Sequence, residues 1–172
     1  RKIRDSLPGL RHIIVVDGAE GPPLQAREVP LALDREPRVE SFEVYASEAE
    51  TPSVLHYTSG TTGQPKGAQH VHSSLVAQYL TSKWVLDLKP EDIYWCNADP
   101  GGGTGTSYGI IGPWANGATH VVLDSGFIAE RWYAFMQKHR VSVWYSAPTA
   151  IRLLMREGTE AVRKFDLSAL RH

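Results

Sequence analysis

Tyr57-Thr58-Ser59-Gly60-Thr61-Thr62-Gly63-Gln64-Pro65-Lys66-Gly67 combines three glycines, four aliphatic hydroxyls and one lysine between two apolar runs. Glycine lets the backbone turn sharply and brings N–H groups close to an anion. Ser and Thr hydroxyls donate to phosphate oxygens, and the lysine supplies a mobile positive charge. The stretch therefore reads as a phosphate cradle. Clusters of Gly, Ser, Thr and Pro are otherwise ordinary loops, so the order of the residues carries the argument. A Walker A loop needs a glycine directly before its lysine and a Ser or Thr directly after it, to hold magnesium and open a helix. Here Pro65 precedes Lys66 and Gly67 follows it, which argues against a P-loop kinase or GTPase.

Outward from the loop, Ser53 to Tyr57 reads as a strand delivering the glycines at its carboxyl end, where open α/β sheets place ligands. Ala68 to Val71 is a short extended run. Val71, Leu75, Val76, Tyr79, Leu80 and Trp84 then fall on one helical stripe, with Ser73 or Ser74 as cap. Ile93 to Ala98 is a second buried strand, ended by a second glycine-rich turn, Asp99 to Thr106. Tyr108 to Trp114 reads as a short helix stopped at Asn116-Gly117, and Thr119 to Leu123 as a third strand. Ile128, Trp132, Phe135 and Met136 mark another helix, and Val141 to Tyr145 a fourth strand. Ser146-Ala147-Pro148-Thr149 opens a helix with Ile151, Leu154 and Met155 facing inward and Gly158 at its end. Phe165 to Ser168 suggests one more helical turn.

Upstream, His12 to Val16 is a short β-branched strand, and Ala19 to Arg38 a surface excursion rich in Pro and charge. Phe42 to Tyr45 could be a strand or a helix end, and Ala46 to Pro52 is an acidic linker. The alternation of strands and helices, with connections too long for hairpins, predicts an α/β fold. It would be a mostly parallel sheet flanked by helices and built with right-handed crossovers. Residues 1–52 would hold the first strand, the excursion and the linker, and residues 53–172 an α/β nucleotide-binding subdomain. Both glycine turns are expected on one edge of the sheet, around a single ligand cleft.

Composition sets the outer limits. At 172 residues, 42% hydrophobic and 22% charged, the chain has ordinary globular chemistry and enough length for one sizeable core. A net charge of −1 gives no electrostatic case for nucleic acid or an anionic membrane as partner. No run reaches the roughly 18 apolar residues of a membrane span, and Arg1 to Asp5 leads into no signal sequence. The lone Cys96 cannot form an internal disulfide, so a cytoplasmic setting and a packing role are expected. His56, His70 and His72 with Asp99 lack a zinc-ligand spacing, so no metal site is expected. The five tryptophans are spread over several elements and are expected in the core.

The loop also matches every fixed position of the signature of the adenylate-forming superfamily, aromatic-T-S-G-[ST]-T-G-x-P-K-G. The similarity continues through Lys83 to Leu88, Asp92 to Cys96, Asn97 to Gly101, Asn116 to Thr119 and Tyr145 to Thr149. Together these segments resemble AMP-forming acetyl-CoA synthetases, part of their large N-terminal domain. The resemblance implies two half-reactions. A carboxylate attacks the α-phosphate of ATP to give acyl-adenylate and pyrophosphate, and the CoA thiol then takes the acyl group. It implies phosphate binding by Thr58, Ser59, Gly60, Thr61, Thr62, Gly63 and Lys66, with Lys66 also catalytic through the charge on departing pyrophosphate. It places Gly102, Gly103 and Thr104 at the acyl and pantetheine pocket. ATP, CoA and Mg2+ would serve the intact parent, with none required by this chain alone.

One departure bears on the acid. Relatives specific for acetate commonly read Gly-Trp, then Val or Ile, then Thr, where this chain has Gly101-Gly102-Gly103-Thr104. Loss of the bulky pair leaves room at the acyl site, so acids larger than acetate are expected to fit. The family's downstream Tyr-Gly-x-Thr-Glu motif, hinge residues and adenylation lysine are absent from the sequence. The isolated chain is therefore expected to be inactive and to self-associate through uncovered apolar faces. Two alternatives stand beside this reading: an adenylation enzyme that loads a carrier-protein thiol or oxidises its adenylate, and a non-catalytic nucleotide-binding or interaction module.

Overall fold

A computed structural model of the protein describes residues 7–15, 28–30, 41–58 and 63–172. The chain divides into two units, Arg1–Tyr45 and Ala46–His172. In the first, β1 (Ile13–Val15) pairs in parallel with β2 (Glu28–Pro30). The strand expected at His12 to Val16 is thus present over its described residues. A second strand lies inside the stretch read as a surface excursion, whose other residues fall outside the described ones. Phe42 to Tyr45 is neither strand nor helix, and Phe42, Val44 and Tyr45 are exposed.

The second unit is organised by β5 (Ile93–Cys96), the middle strand of a parallel sheet in the order β6-β5-β7, with β6 at Thr119–Val121 and β7 at Val143–Tyr145. Successive strand side chains point to opposite faces, and β5 feeds two cores in this way. Trp95 joins Trp132, Tyr133 and Met136 of α4 (Ala129–His139) and Leu154 of α5 (Pro148–Arg156) on one face. Tyr94 and Cys96 join Leu86, Leu88, Ala118 and Val143 on the other. The first core is aromatic. The Trp95 ring lies 5.1 Å edge-on from Trp132, and 5.8 Å from Trp144 in a stacked arrangement.

The helix expected over residues 108–114 begins earlier and absorbs half of the second glycine turn. It runs as α2 (Gly103–Thr106), a π-wound turn (Ser107–Ile111) and α3 (Gly112–Ala115), and Gly117 at φ 73° reverses the chain after it. Helix α1 (Ser74–Val85) packs on the π turn and α3 through small and polar residues. Ser82 is fully buried, and a Cβ at Gly112 would stand 2.1 Å from its Oγ. This close approach explains a correction: Leu75, Val76 and Trp84 of the expected inward stripe are exposed, Trp84 at 71%. Ser73 holds the N-cap position without a side-chain cap bond. Trp114 is likewise exposed, so only part of the tryptophan set is core. On α5 Leu154 is buried while Met155 is exposed. A short α6 (Thr159–Val162) follows Gly158, and Phe165 to Ser168 form a turn in which Asp166 accepts from the Ser168 N–H.

At the amino end of β5, Asp92 is 3% exposed and holds the unit together. It accepts from the Lys89 N–H (2.9 Å), from Ser142 Oγ (2.7 Å) and from Arg171 Nε (3.0 Å). Arg171 also bridges to Asp87 at 2.8 Å, and its N–H donates to the Ser142 carbonyl. Burial pushes the Asp92 carboxyl up, but the donors from Arg171, Ser142 and Lys89 outweigh it and leave the group below its ordinary value.

A carboxylate with a depressed folded pKa adds stability that is present above its unfolded pKa and lost as pH falls through the folded one. Arg171→Gln should cost about 3 kcal/mol by stranding a buried charge. It should also move acid unfolding, followed by circular dichroism, to higher pH. An unchanged acid midpoint would contradict the assignment.

Candidate functional site

The glycine loop connects the two strands of an antiparallel hairpin. Strands β3 (Pro52–Thr58) and β4 (Lys66–Val71) pair with Thr58 opposite Lys66 and Tyr57 opposite Gly67. The strand read before the glycines is therefore present, but it lies outside the parallel sheet, and its connection to the next strand is a hairpin. In the connection between these strands Gly63 adopts φ 80°, a left-handed conformation that favours glycine. Ser59, Gly60, Thr61 and Thr62 lie outside the described residues.

Residues directly opposite in an antiparallel pair share a face, so the Thr58 hydroxyl and the Lys66 ammonium emerge side by side at the loop mouth. Both are exposed, and among the described residues Lys66 makes no ion pair that would neutralise it. The strand carrying Lys66 is braced from above. A Cβ at Gly67 would meet Leu55 Cδ1 at 3.2 Å and the Tyr57 ring at 3.5 Å, so both side chains lie over the glycine.

The second glycine turn is locked by its own hydrogen bonds. Asp99 Oδ1 accepts from the Gly101 N–H at 2.7 Å, and the Asp99 carbonyl from the Gly102 N–H at 3.0 Å. Thr106 Oγ1 donates to the Pro100 carbonyl at 2.8 Å. Gly105 is buried against this turn so closely that a Cβ there would stand 1.9 Å from the Asp99 carbonyl oxygen. Gly102, Gly103 and Thr104 are exposed at the start of α2, and a Cβ at Gly103 would meet nothing within 4 Å.

Asp99 and Pro100 line a cleft of about 430 Å³ together with Asn97, Asp124 and Ser125, over a floor of Trp95 and Trp132. It opens at the carboxyl ends of β5 and β6. The chain leaves β5 toward α2, on the Cys96 face, and leaves β6 toward α4, on the Trp95 face. A crevice between strands whose exits diverge is where α/β sheets hold ligands. Asn97 is fixed there by the Trp144 indole N–H at 3.1 Å. Burial pushes the Cys96 thiol up, which fits an uncharged packing residue. Asp124 and Ser125 went unnoticed in the sequence because their only signal is position, directly after a short strand.

The two glycine segments thus belong to different sheets, and no hydrogen bond among the described residues joins Thr58, Gly63 or Lys66 to residues 101–106. What connects their elements is α1. Its Gln78 Nε2 donates to Ser107 Oγ at 3.2 Å, and Thr81 Oγ1 lies 3.2 Å from the Tyr108 hydroxyl. The amides of His72 and Ser73, between β4 and α1, donate to the Thr51 and Ala49 carbonyls at 3.0 and 2.9 Å and tie the approach to that helix to the segment before β3.

The chain is 48% identical over 98% of its length to the acetyl-coenzyme A synthetase of Bacillus subtilis, covering 29% of that protein. It is 42% identical over 95% of its length to the enzyme of the same description from Deinococcus radiodurans, covering 26% of it. The chain therefore spans less than a third of the curated relatives it matches. Among solved structures, an anthranilate CoA ligase in complex with anthranoyl-AMP superposes with a TM-score of 0.82 at 29% identity, over 98% of this chain and 32% of that one. The family described as AMP-binding enzyme matches residues 1–172, and the chain belongs to that family.

Proposed function

We propose that this chain carries the phosphate-binding and acyl-side part of an ATP-dependent, AMP-forming acetyl or short-chain acyl-CoA synthetase. The parent reaction would convert carboxylate, ATP and CoA into acyl-CoA, AMP and pyrophosphate. The observation that carries this reading is the pairing of Thr58 with Lys66 across the mouth of the glycine loop, in a chain so similar to acetyl-coenzyme A synthetases. Thr58, Ser59, Gly60, Thr61, Thr62, Gly63 and Lys66 would bind the β- and γ-phosphates. Lys66 would offset the charge that develops on pyrophosphate as it leaves. Gly102, Gly103 and Thr104 would border the acyl group and the CoA thiol.

No group of three or more metal-ligating side chains comes together among the described residues. In the parent reaction Mg2+ would accompany ATP, held by the nucleotide's phosphates and waters together with one or two carboxylates. Among the described residues no helix is long and apolar enough to cross a membrane. A cytoplasmic setting is proposed for the parent. The partition at residue 52, between an N-terminal piece and the nucleotide-binding subdomain, belongs to the same reading.

Four outcomes are expected. In the full-length enzyme carrying this sequence, Lys66→Ala should lower acid-dependent ATP–pyrophosphate exchange about 100-fold without altering stability, because the side chain is exposed; retained exchange would overturn the role. Gly102→Trp should favour acetate over propionate, since a Cβ there meets only the Asp99 carbonyl at 3.5 Å and the ring can enter the open side. Equal losses with both acids would contradict an enlarged acyl site. The isolated chain should show no turnover. It should also scatter light as species larger than its 19.1 kDa monomer, through faces such as Leu75, Val76, Trp84 and Val85; a strictly monomeric sample would refute the self-association.

A further inference from the structure

Between β4, α1 and the π turn lies a cavity of about 230 Å³, bordered by His70, Ser74, Ala77, Gln78, Thr81, Ser107 and Tyr108. Four of its polar side chains, Gln78, Thr81, Ser107 and Tyr108, form a hydrogen-bonded set. Gln78 Nε2 donates to Ser107 Oγ at 3.2 Å, so the Ser107 hydroxyl accepts there and keeps its own proton free to donate. Thr81 Oγ1 donates to the Ala77 carbonyl at 2.7 Å, so in its 3.2 Å contact with Tyr108 the phenol is the donor. Gln78 Oε1 is buried and has no partner. A buried acceptor left without a donor costs about 1–3 kcal/mol, a penalty that a bound donor would remove.

Gln78 Oε1 is thus left as an unpartnered acceptor and the Ser107 O–H as a free donor, on two side chains linked through Gln78 Nε2, and the His70 ring and the Ser74 hydroxyl add further polar atoms to the lining. No Lys, Arg, Asp or Glu lines it. The complementary group is neutral and both donates and accepts, as a hydroxyl or a primary amide does. The volume admits several non-hydrogen atoms, a water-sized unit taking about 30 Å³. Ser107 also lies three residues beyond Thr104, within helical reach of the proposed acyl side. Helices wound in a π turn often mark functional positions.

We propose that this cavity is a binding chamber for a short neutral chain ending in a hydroxyl or primary amide, held by Gln78 Oε1 and the Ser107 hydroxyl. Where the proposed synthetase reading holds, that chain is the tail of the carboxylic acid. The parent would then prefer short acids with a polar terminus to their apolar isosteres.

The isotope-labelled 172-residue chain can be titrated with 3-hydroxypropionate, with its apolar isostere butyrate and with propan-1-ol, which carries no carboxylate. Nuclear magnetic resonance would follow the Gln78 side-chain amide and the Ser107 backbone amide. The expected result is saturable shifts at both positions, with 3-hydroxypropionate binding roughly tenfold tighter than butyrate and that preference abolished in both Ser107→Ala and Gln78→Leu. Shifts from propan-1-ol alone would support the chamber while removing the acid reading of its neighbour. Equal affinity for the two acids, or shifts confined to other residues because water alone fills the cavity, would overturn the proposal.

Discussion

The alternation of side chains along β5 is the constraint on which the second unit depends. Tyr94 and Cys96 go to one core and Trp95 to the other, so a register slip of one residue would invert both. Its amino end is anchored by buried Asp92, which ties Ser142 and Arg171 to the turn after α1. Its carboxyl end runs into the Asp99 turn, on which Gly105 packs with no room for a side chain. One short strand thereby fixes the sheet, the start of α2 and the floor of the cleft between β5 and β6.

The hairpin of β3 and β4 is held differently. It has no place in that sheet, and its position comes from the chain entering α1 and from the hydrogen bonds of that helix to the π turn. The hairpin presents an unpaired ammonium and a hydroxyl in register, while the sheet presents a glycine-lined helix start. The proposed division of roles, phosphates at the hairpin and the acid at the helix start, rests on this separation. The small residues of α1 serve the same end, because Ser82 against Gly112 lets the two helices approach closely enough for Gln78 and Thr81 to reach Ser107 and Tyr108.

Much of this was legible in the residues. The runs Ile93 to Cys96 and Val143 to Tyr145 combine β-branched and aromatic residues between turn signals, and both are strands. Trp132 and Met136, at helical spacing, do face the core. The family was legible in the loop because its order, down to Pro65 and Gly67, is so specific. Its pairing was not: a tight hairpin is signalled by a two-residue turn such as Asn-Gly, and here a longer glycine loop separates the strands. The α1 stripe misled for a related reason. Apolar spacing identifies a helix but not which face is covered, and close packing selected the side of Ser82 over that of Leu75 and Trp84.

The central claim is that the hairpin tip binds phosphate. Its most direct test is a titration of the labelled chain with inorganic pyrophosphate and magnesium, read by nuclear magnetic resonance at the amides of Thr58, Gly63 and Lys66. Weak but saturable shifts centred on these residues, lost in Lys66→Ala, are the predicted result. Shifts absent from the hairpin, or unchanged by that substitution, would contradict the account.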